Sequence, residues 1–264
     1  MMNTLRTATS YLNHRMRCAN RQGHGVHSPF LFEFITRVLP DSGPLEIFER
    51  PERYRKDLLL DRTIFSRIDL GSGSRHPRPS VTVRSLARRA LQPPRGARLL
   101  YRLIEHYHPP NILELGTCWG VTTEYMASAN PHRPVYTIEG DPFLAQRAAE
   151  RFRQDGFNNI ETFVGNFDEK LPEVLSKINS VGLVWLDGNH RKEPTLRYFE
   201  QLLPHTTDES ILVFDDIYWS AEMEAAWQII QRHPRVGATL DLFRFGIVFF
   251  RSAFREPVHL RLHY

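Results

Sequence analysis

The sequence predicts an α/β protein with a doubly wound, mostly parallel sheet, an antiparallel last strand and a helical N-terminal extension. Three observations carry this. From Asn111 onward, short apolar runs alternate with amphipathic segments, the texture of βαβ units. The final two apolar runs, 235–242 and 246–251, stand too close for a crossover connection, so they form a hairpin. Before residue 95 the apolar spacing is helical. The expected division is therefore a helical N-terminal cap region, 1–94, and a sheet domain, 95–264.

Ser28 is placed as an N-cap with Pro29 at the first helical position, which predicts a short buried helix through the apolar run ending at Leu39. Further helices are expected over 46–68, 80–91 and 96–107, the last two separated by Gln92-Pro93-Pro94-Arg95-Gly96. Strands are expected near 111–115, 135–139, 160–164, 181–187 and 210–215, each followed by a helical stretch.

The chain has 264 residues, and 41% hydrophobic with 24% charged content suffices for a sizeable core. No run reaches the roughly 18 apolar residues of a membrane span, and the N-terminus lacks the apolar region of a secretory signal. Residues 1–32 carry four arginines and no acid, the composition of a targeting segment, but Gly23-His24-Gly25-Val26-His27-Ser28-Pro29 interrupts the helix that such a segment needs. Cys18 and Cys118 make no disulfide framework and no C-x-x-C pair, so a reducing, cytoplasmic setting is expected. Residues 1–110 hold 19 basic against 9 acidic side chains, and residues 111–264 hold 15 against 21. The basic excess gives a mild preference for an anionic partner.

In open α/β sheets, ligands sit beyond the carboxyl ends of the strands. Leu113-Glu114-Leu115-Gly116-Thr117-Cys118-Trp119-Gly120-Val121-Thr122-Thr123 is a strand entering a glycine turn and then a helix. Its E-x-G-x-x-x-G spacing is not the dinucleotide fingerprint, and Glu114 would repel a pyrophosphate, which removes the dehydrogenase reading. A ligand with a cationic or neutral polar group fits; a tight turn without ligand is the alternative. Glu139, in Tyr136-Thr137-Ile138-Glu139-Gly140-Asp141, ends the next strand, where a carboxylate accepts ribose hydroxyls or else caps a helix. Together the two segments point to an adenosine-containing ligand.

These motifs, followed by Val164-Gly165-Asn166-Phe167, Leu186-Asp187-Gly188-Asn189-His190 and Val213-Phe214-Asp215-Asp216, resemble the successive motifs of class I S-adenosylmethionine-dependent methyltransferases. The nearest subgroup comprises small-molecule O-methyltransferases similar to catechol and caffeoyl-CoA O-methyltransferase. The whole chain, with its His-Gly-Val-His-Ser-Pro-Phe segment, is similar to uncharacterised bacterial methyltransferases. The resemblance covers roughly residues 95–252. It implies a seven-stranded Rossmann-like sheet with an antiparallel last strand and S-adenosylmethionine as cofactor, bound by the 95–264 domain. By position it implies that Glu114, Gly116, Thr117 and Gly120 line the methionine end, with Thr122 near its carboxylate. It further implies that Glu139 and Gly140 hold the ribose, that Asn166 and Phe167 flank the adenine, and that Asp187 contacts the cofactor.

Asp187, Asp215 and Asp216 converge at neighbouring strand ends, where three carboxylates repel unless a cation or protonation relieves them; oxygen ligation suits Mg²⁺, Mn²⁺ or Ca²⁺. The resemblance implies a metal there, with Asp216 standing where the catechol-type enzymes usually carry Asn. Helix capping by Asp215 or Asp216 is the alternative. His190 takes the place of their lysine base and, with Asp187, forms the expected catalytic pair; a loop histidine is the bland reading. Asp69-Leu70-Gly71-Ser72-Gly73-Ser74 is rejected as the cofactor turn, because Arg75-His76-Pro77-Arg78-Pro79 cannot start the required helix. His24 and His27 are weak metal candidates.

The expected function is methyl transfer to a small molecule, at a hydroxyl oxygen, with Mg²⁺ or Mn²⁺ assistance. RNA or protein methylation and a non-catalytic cofactor-binding or interaction module are the alternatives. Nucleic acid is disfavoured because the basic third lacks aromatic-basic interleaving. A homodimer is one assembly left open.

Overall fold

The computed structural model describes residues 4–18, 28–41, 43, 45–68 and 80–264. In chain order its elements are α1 (Thr4–Met16), α2 (Pro29–Glu33), α3 (Glu49–Leu60), β1 (Ile64–Ser66), β2 (Ser80–Thr82), α4 (Val83–Ala90) and α5 (Pro94–Tyr107). Then come β3 (Ile112–Leu115), α6 (Val121–Ala129), β4 (Val135–Glu139), α7 (Pro142–Gln154), β5 (Ile160–Val164), α8 (Phe167–Lys177) and β6 (Val181–Leu186). The chain finishes with α9 (Lys192–Leu202), β7 (Thr206–Phe214), α10 (Ala221–Gln231), β8 (Ala238–Asp241), β9 (Gly246–Phe249) and β10 (Val258–Arg261). Among the described residues the central sheet is mostly parallel, as the sequence predicts, and has eight strands where seven were expected. The chain divides into two units, Asp41–Lys177 and a second made of Met1–Pro40 with Ile178–Tyr264.

In the unit Asp41–Lys177, β3, β4 and β5 run parallel. All four residues of β3 are buried, as expected for a strand covered on both faces. Helix α5 buries Ala97, Leu100, Tyr101 and Ile104, spaced at helical intervals, and stops where His108 turns left-handed. Phe48 anchors the surrounding core, edge-on to Tyr101 at 4.9 Å and stacked on Tyr125 at 4.6 Å. The expected helix over 46–68 overruns: a 3₁₀ turn at Glu46–Phe48 leads into α3, which ends at Asp61. The Asp61 carboxylate accepts the Thr63 N–H at 2.7 Å and turns the chain into β1, which pairs antiparallel with β2. The first residues of the expected 80–91 helix are thus β2, and Thr82 caps α4 through the Ser85 N–H. The glycine run 69–74 and His24 and His27 lie outside the described residues.

In the second unit, β6 and β7 are parallel, and β9 is antiparallel to both β7 and β8. The expected hairpin is therefore β8–β9. An eighth strand, β10, adds parallel to β8. It escapes sequence reading because Val258-His259-Leu260-Arg261 is short and half polar. Ser28 does cap α2, accepting the Leu31 N–H at 3.4 Å, and Leu31, Phe34, Ile35 and Val38 are buried as the apolar run widens into a π-helical turn. Helix α1 is held by His14, whose Nε2 lies 2.9 Å from the buried Asp241 carboxylate; Tyr218 donates its hydroxyl to the same carboxylate at 2.7 Å. Among the described residues no helix is long and apolar enough to cross a membrane.

Strand β9 starts at Gly246 because Trp227 packs directly over it: a Cβ there would lie 2.6 Å from the indole ring. Gly246→Ala is expected to destabilise by about 1–3 kcal/mol through overpacking, read as a lower urea midpoint.

Candidate active site

The glycine turn after β3 is built on left-handed backbone. Gly116 has φ +110° and Gly120 +79°, and a Cβ on Gly120 would meet the Phe152 ring at 2.6 Å. The Gly116 N–H donates to the Ile138 carbonyl at 2.9 Å, pinning the turn to β4. With Gly120 as N-cap residue, no side chain caps α6, and the first N–H groups of a helix have no partner within the helix itself. Thr122 sits in that turn and Thr117 is almost fully buried.

Glu114 is fully buried and turned inward rather than lining an open surface. Its Oε2 accepts the hydroxyls of Thr123 at 2.5 Å and Thr137 at 2.6 Å, while Oε1 has no hydrogen-bond partner among the described residues. Thr117 completes the chain with a 2.5 Å contact to the Thr137 hydroxyl. Burial pushes the Glu114 carboxyl up to about 7, against the pull of the two threonine hydroxyls. Neither Thr123 nor Thr137 was singled out by sequence reading, although strand pairing places Thr137 directly beside Glu114.

Glu139, at the end of β4, stays partly accessible. Its Oε1 accepts the Asp141 N–H at 2.9 Å and its Oε2 the Cys118 N–H at 2.7 Å, which fixes both oxygens and leaves lone pairs for further donors. Burial raises its pKa, and the two backbone N–H groups oppose that rise. After Gly140, Asp141 caps α7 and also accepts the Ile68 N–H at 2.9 Å. Asn166 opens α8, accepting the Asp168 N–H at 3.1 Å, and Phe167 beside it is half-buried. The structure thus gathers the expected cofactor residues of this unit at the ends of β3, β4 and β5.

In the other unit, Asp187 follows β6 and Asp215 and Asp216 follow β7, in a register that pairs Leu186 with Phe214. Burial, then the charges of Asp215 and Asp216, push the pKa of Asp187 well above the carboxylate range. Burial and Asp215 raise Asp216 to about 7. His190 Nε2 lies 3.6 Å from Asp187 Oδ1, and burial lowers the pKa of the ring. Left-handed Asn189 (φ +53°) aims that turn, and its amide donates to the Tyr198 hydroxyl at 3.1 Å.

Sequence reading missed Arg244. Its Nε lies 3.2 Å from Asp215 Oδ1 and 3.6 Å from Asp216 Oδ1, supplied by the β8–β9 turn. The three acids therefore do not fit the expected divalent ion: an organic cation already stands against two of them, and no group of three or more His, Cys, Asp or Glu among the described residues is arranged to hold a metal. The hairpin itself was the available signal, since its register dictates which loop residue reaches the end of β7.

The raised Glu114 pKa sets a pH dependence. Its folded value exceeds the unfolded 4.5, so its contribution to stability is fully present below about pH 4.5 and is lost as pH rises through about 7. Glu114→Gln does not ionise. Urea unfolding of both proteins across that window is expected to show wild-type stability falling relative to the variant as pH rises.

Residues 113–217 match the family model of a methyltransferase domain. Among curated proteins, the chain is 30% identical over 111 residues to an O-methyltransferase of Aspergillus flavus, covering 40% of this chain and 44% of that one. It is 32% identical over 117 residues to a transmembrane O-methyltransferase of Homo sapiens, covering 42% and 40%. The chain thus spans less than half the length of these curated relatives. Among solved structures, an O-methyltransferase from Bacillus cereus in complex with SAH aligns with a TM-score of 0.56 at 16% identity, over 78% of this chain and 91% of that one. A SAH-bound methyltransferase of Podospora anserina aligns with a TM-score of 0.60 at 14% identity, over 86% and 100%. These structural likenesses are likenesses of fold. The matched residues 113–217 contain the glycine turn, Glu139 and the three aspartates, and the likeness to the solved structures is one of a Rossmann-like fold.

Proposed function

We propose that this chain is an S-adenosylmethionine-dependent O-methyltransferase acting on a small molecule. The observation that carries the reading is the pairing of an uncapped α6 N-terminus with Glu139, two features one strand apart that suit the two polar ends of that cofactor. The N–H groups of the first α6 turn, with Thr122, hold a carboxylate. The Glu139 carboxylate accepts ribose hydroxyls, with Gly140 leaving room beside it. Asn166 and Phe167 flank the adenine, the half-buried ring offering a stacking face. Glu114 acts from beneath, shaping the turn of Gly116, Thr117 and Gly120 through Thr123 and Thr137. The bound SAH in the Bacillus cereus and Podospora anserina structures supports this cofactor. When bound, the cofactor supplies an activated methyl group.

On the acceptor side, His190 is the base. Its lowered pKa keeps the ring neutral near pH 7, ready to take a proton from a hydroxyl, and Asp187 orients it. Residues 1–94 set acceptor preference, their basic excess favouring an anionic compound, and residues 95–264 bind the cofactor. A cytoplasmic setting accords with Cys18 and Cys118 being thiols rather than disulfide-bonded. One observation favours a second reading, RNA or protein methylation: Arg84, Arg88 and Arg89 line a single cavity with Thr82 and Ser85, a clustered basic surface.

Calorimetric titration with S-adenosylhomocysteine tests the reading. Micromolar binding is expected, weakened roughly 10- to 100-fold in Glu139→Ala, the effect of removing hydrogen bonds to a charged acceptor. Absence of binding by the wild-type protein overturns the proposal. With binding in hand, methyl transfer to hydroxylated small molecules but not to RNA or protein separates the two acceptor readings.

A further inference from the structure

The acid cluster contains its own cation. Arg244 occupies the two-residue turn between β8 and β9, where the Leu242 N–H donates to the Phe245 carbonyl at 2.9 Å. Two contacts tie this turn to the end of β7: the Ile217 N–H donates to the Arg244 carbonyl at 3.3 Å, and Gly246 pairs with Phe214 in the sheet. The Arg244 backbone is therefore stitched to the residue that follows Asp216. From that position its Nε donates to Asp215 at 3.2 Å and lies 3.6 Å from Asp216. A guanidinium carries five N–H donors and keeps its charge at every working pH. Only the Nε–H is used among the described residues, and with the side chain 41% exposed the four N–H groups of the terminal nitrogens remain for a ligand.

We propose that Arg244 is the resident cation of this cluster, standing in for a divalent ion, and that its terminal N–H groups bind the oxygen of an anionic acceptor, a phenolate or carboxylate. The charge-balancing part stands on the geometry alone; the acceptor part rests on the methyltransferase reading. Electrostatically, the guanidinium does two things that a divalent ion would do. It holds Asp215 and Asp216 together against their repulsion, and it presents positive charge and paired donors to an incoming oxygen. It differs in having no coordination shell, so a vicinal pair of oxygens is not chelated and a single oxyanion suffices.

The test is Mn²⁺ binding followed by electron paramagnetic resonance on the wild-type protein, Arg244→Lys, Arg244→Ala, Asp215→Asn and the double variant Arg244→Ala with Asp215→Asn. The wild-type and lysine proteins are expected to leave Mn²⁺ free at millimolar concentration. The alanine variant is expected to bind it at least 10-fold more tightly, and the double variant to lose that gain. Wild-type binding that Asp215→Asn abolishes overturns the proposal. Failure of a folded alanine variant to gain Mn²⁺ overturns it as well, because the carboxylates would then not form a cation site at all. If the alanine variant does not fold, the wild-type and Asp215→Asn measurements still decide. Titration with S-adenosylhomocysteine on the same samples keeps the two ideas apart: loss of that binding in the wild-type protein sinks the methyltransferase reading and leaves the charge-balancing role of Arg244 standing.

Discussion

A carboxylate that finds no counter-ion among the described residues lies at the heart of the unit that carries the glycine turn. Glu114 is wholly buried, and among those residues its partners are the hydroxyls of Thr123 and Thr137. A buried polar group without such partners costs several kcal/mol, so three elements must arrive together: β3 with the acid, β4 with Thr137 and α6 with Thr123. Thr117 joins through Thr137, and Gly120 closes the turn against Phe152. The shape presented by Gly116, Gly120 and the first turn of α6 follows from this inner network. Glu139 locks the outer side of the same turn by accepting the Cys118 N–H.

The acid cluster of the other unit solves a related problem differently. Asp187 faces the charges of Asp215 and Asp216, and Arg244 neutralises part of that charge. Both devices depend on backbone register: Leu186 opposite Phe214 brings the first two acids side by side, and Gly246 opposite Phe214 brings the hairpin turn to the same strand end. Trp227 packed on Gly246 holds that register, so a hydrophobic contact fixes the placement of an ionic one. The same hairpin contributes Asp241, which fastens α1 through His14 and Tyr218.

Much of this was legible before any coordinates. The strands expected at 135–139 and 160–164 have those bounds, and the ones expected at 111–115 and 181–187 differ by a residue at one end. Ser28 and Pro29 start a helix as local chemistry requires. Glu139 and Asn166 fall where strand ends place them. The misreadings have physical causes. The helix expected to reach residue 68 stops at Asp61 because an acid side chain captures a backbone N–H two residues on, which competes with the helical bond. Glu114, expected to line an open methionine site, faces inward because hydroxyls from two other elements satisfy it there. The divalent ion inferred from three carboxylates meets an arginine 29 residues beyond Asp215.

What the sequence by itself determined is everything written in near-neighbour chemistry: the period of the apolar residues, the glycines that permit left-handed turns, the caps, and hence the order of strands, helices and the loops that bear polar residues. What only the tertiary structure decided is which partner each polar side chain takes. Glu114 could be exposed or enclosed, and the aspartates could await an ion or an arginine, with no change in local pattern. Charge compensation in a buried site is set by distance in space, and distance in space across a sheet follows from register, which no single segment encodes.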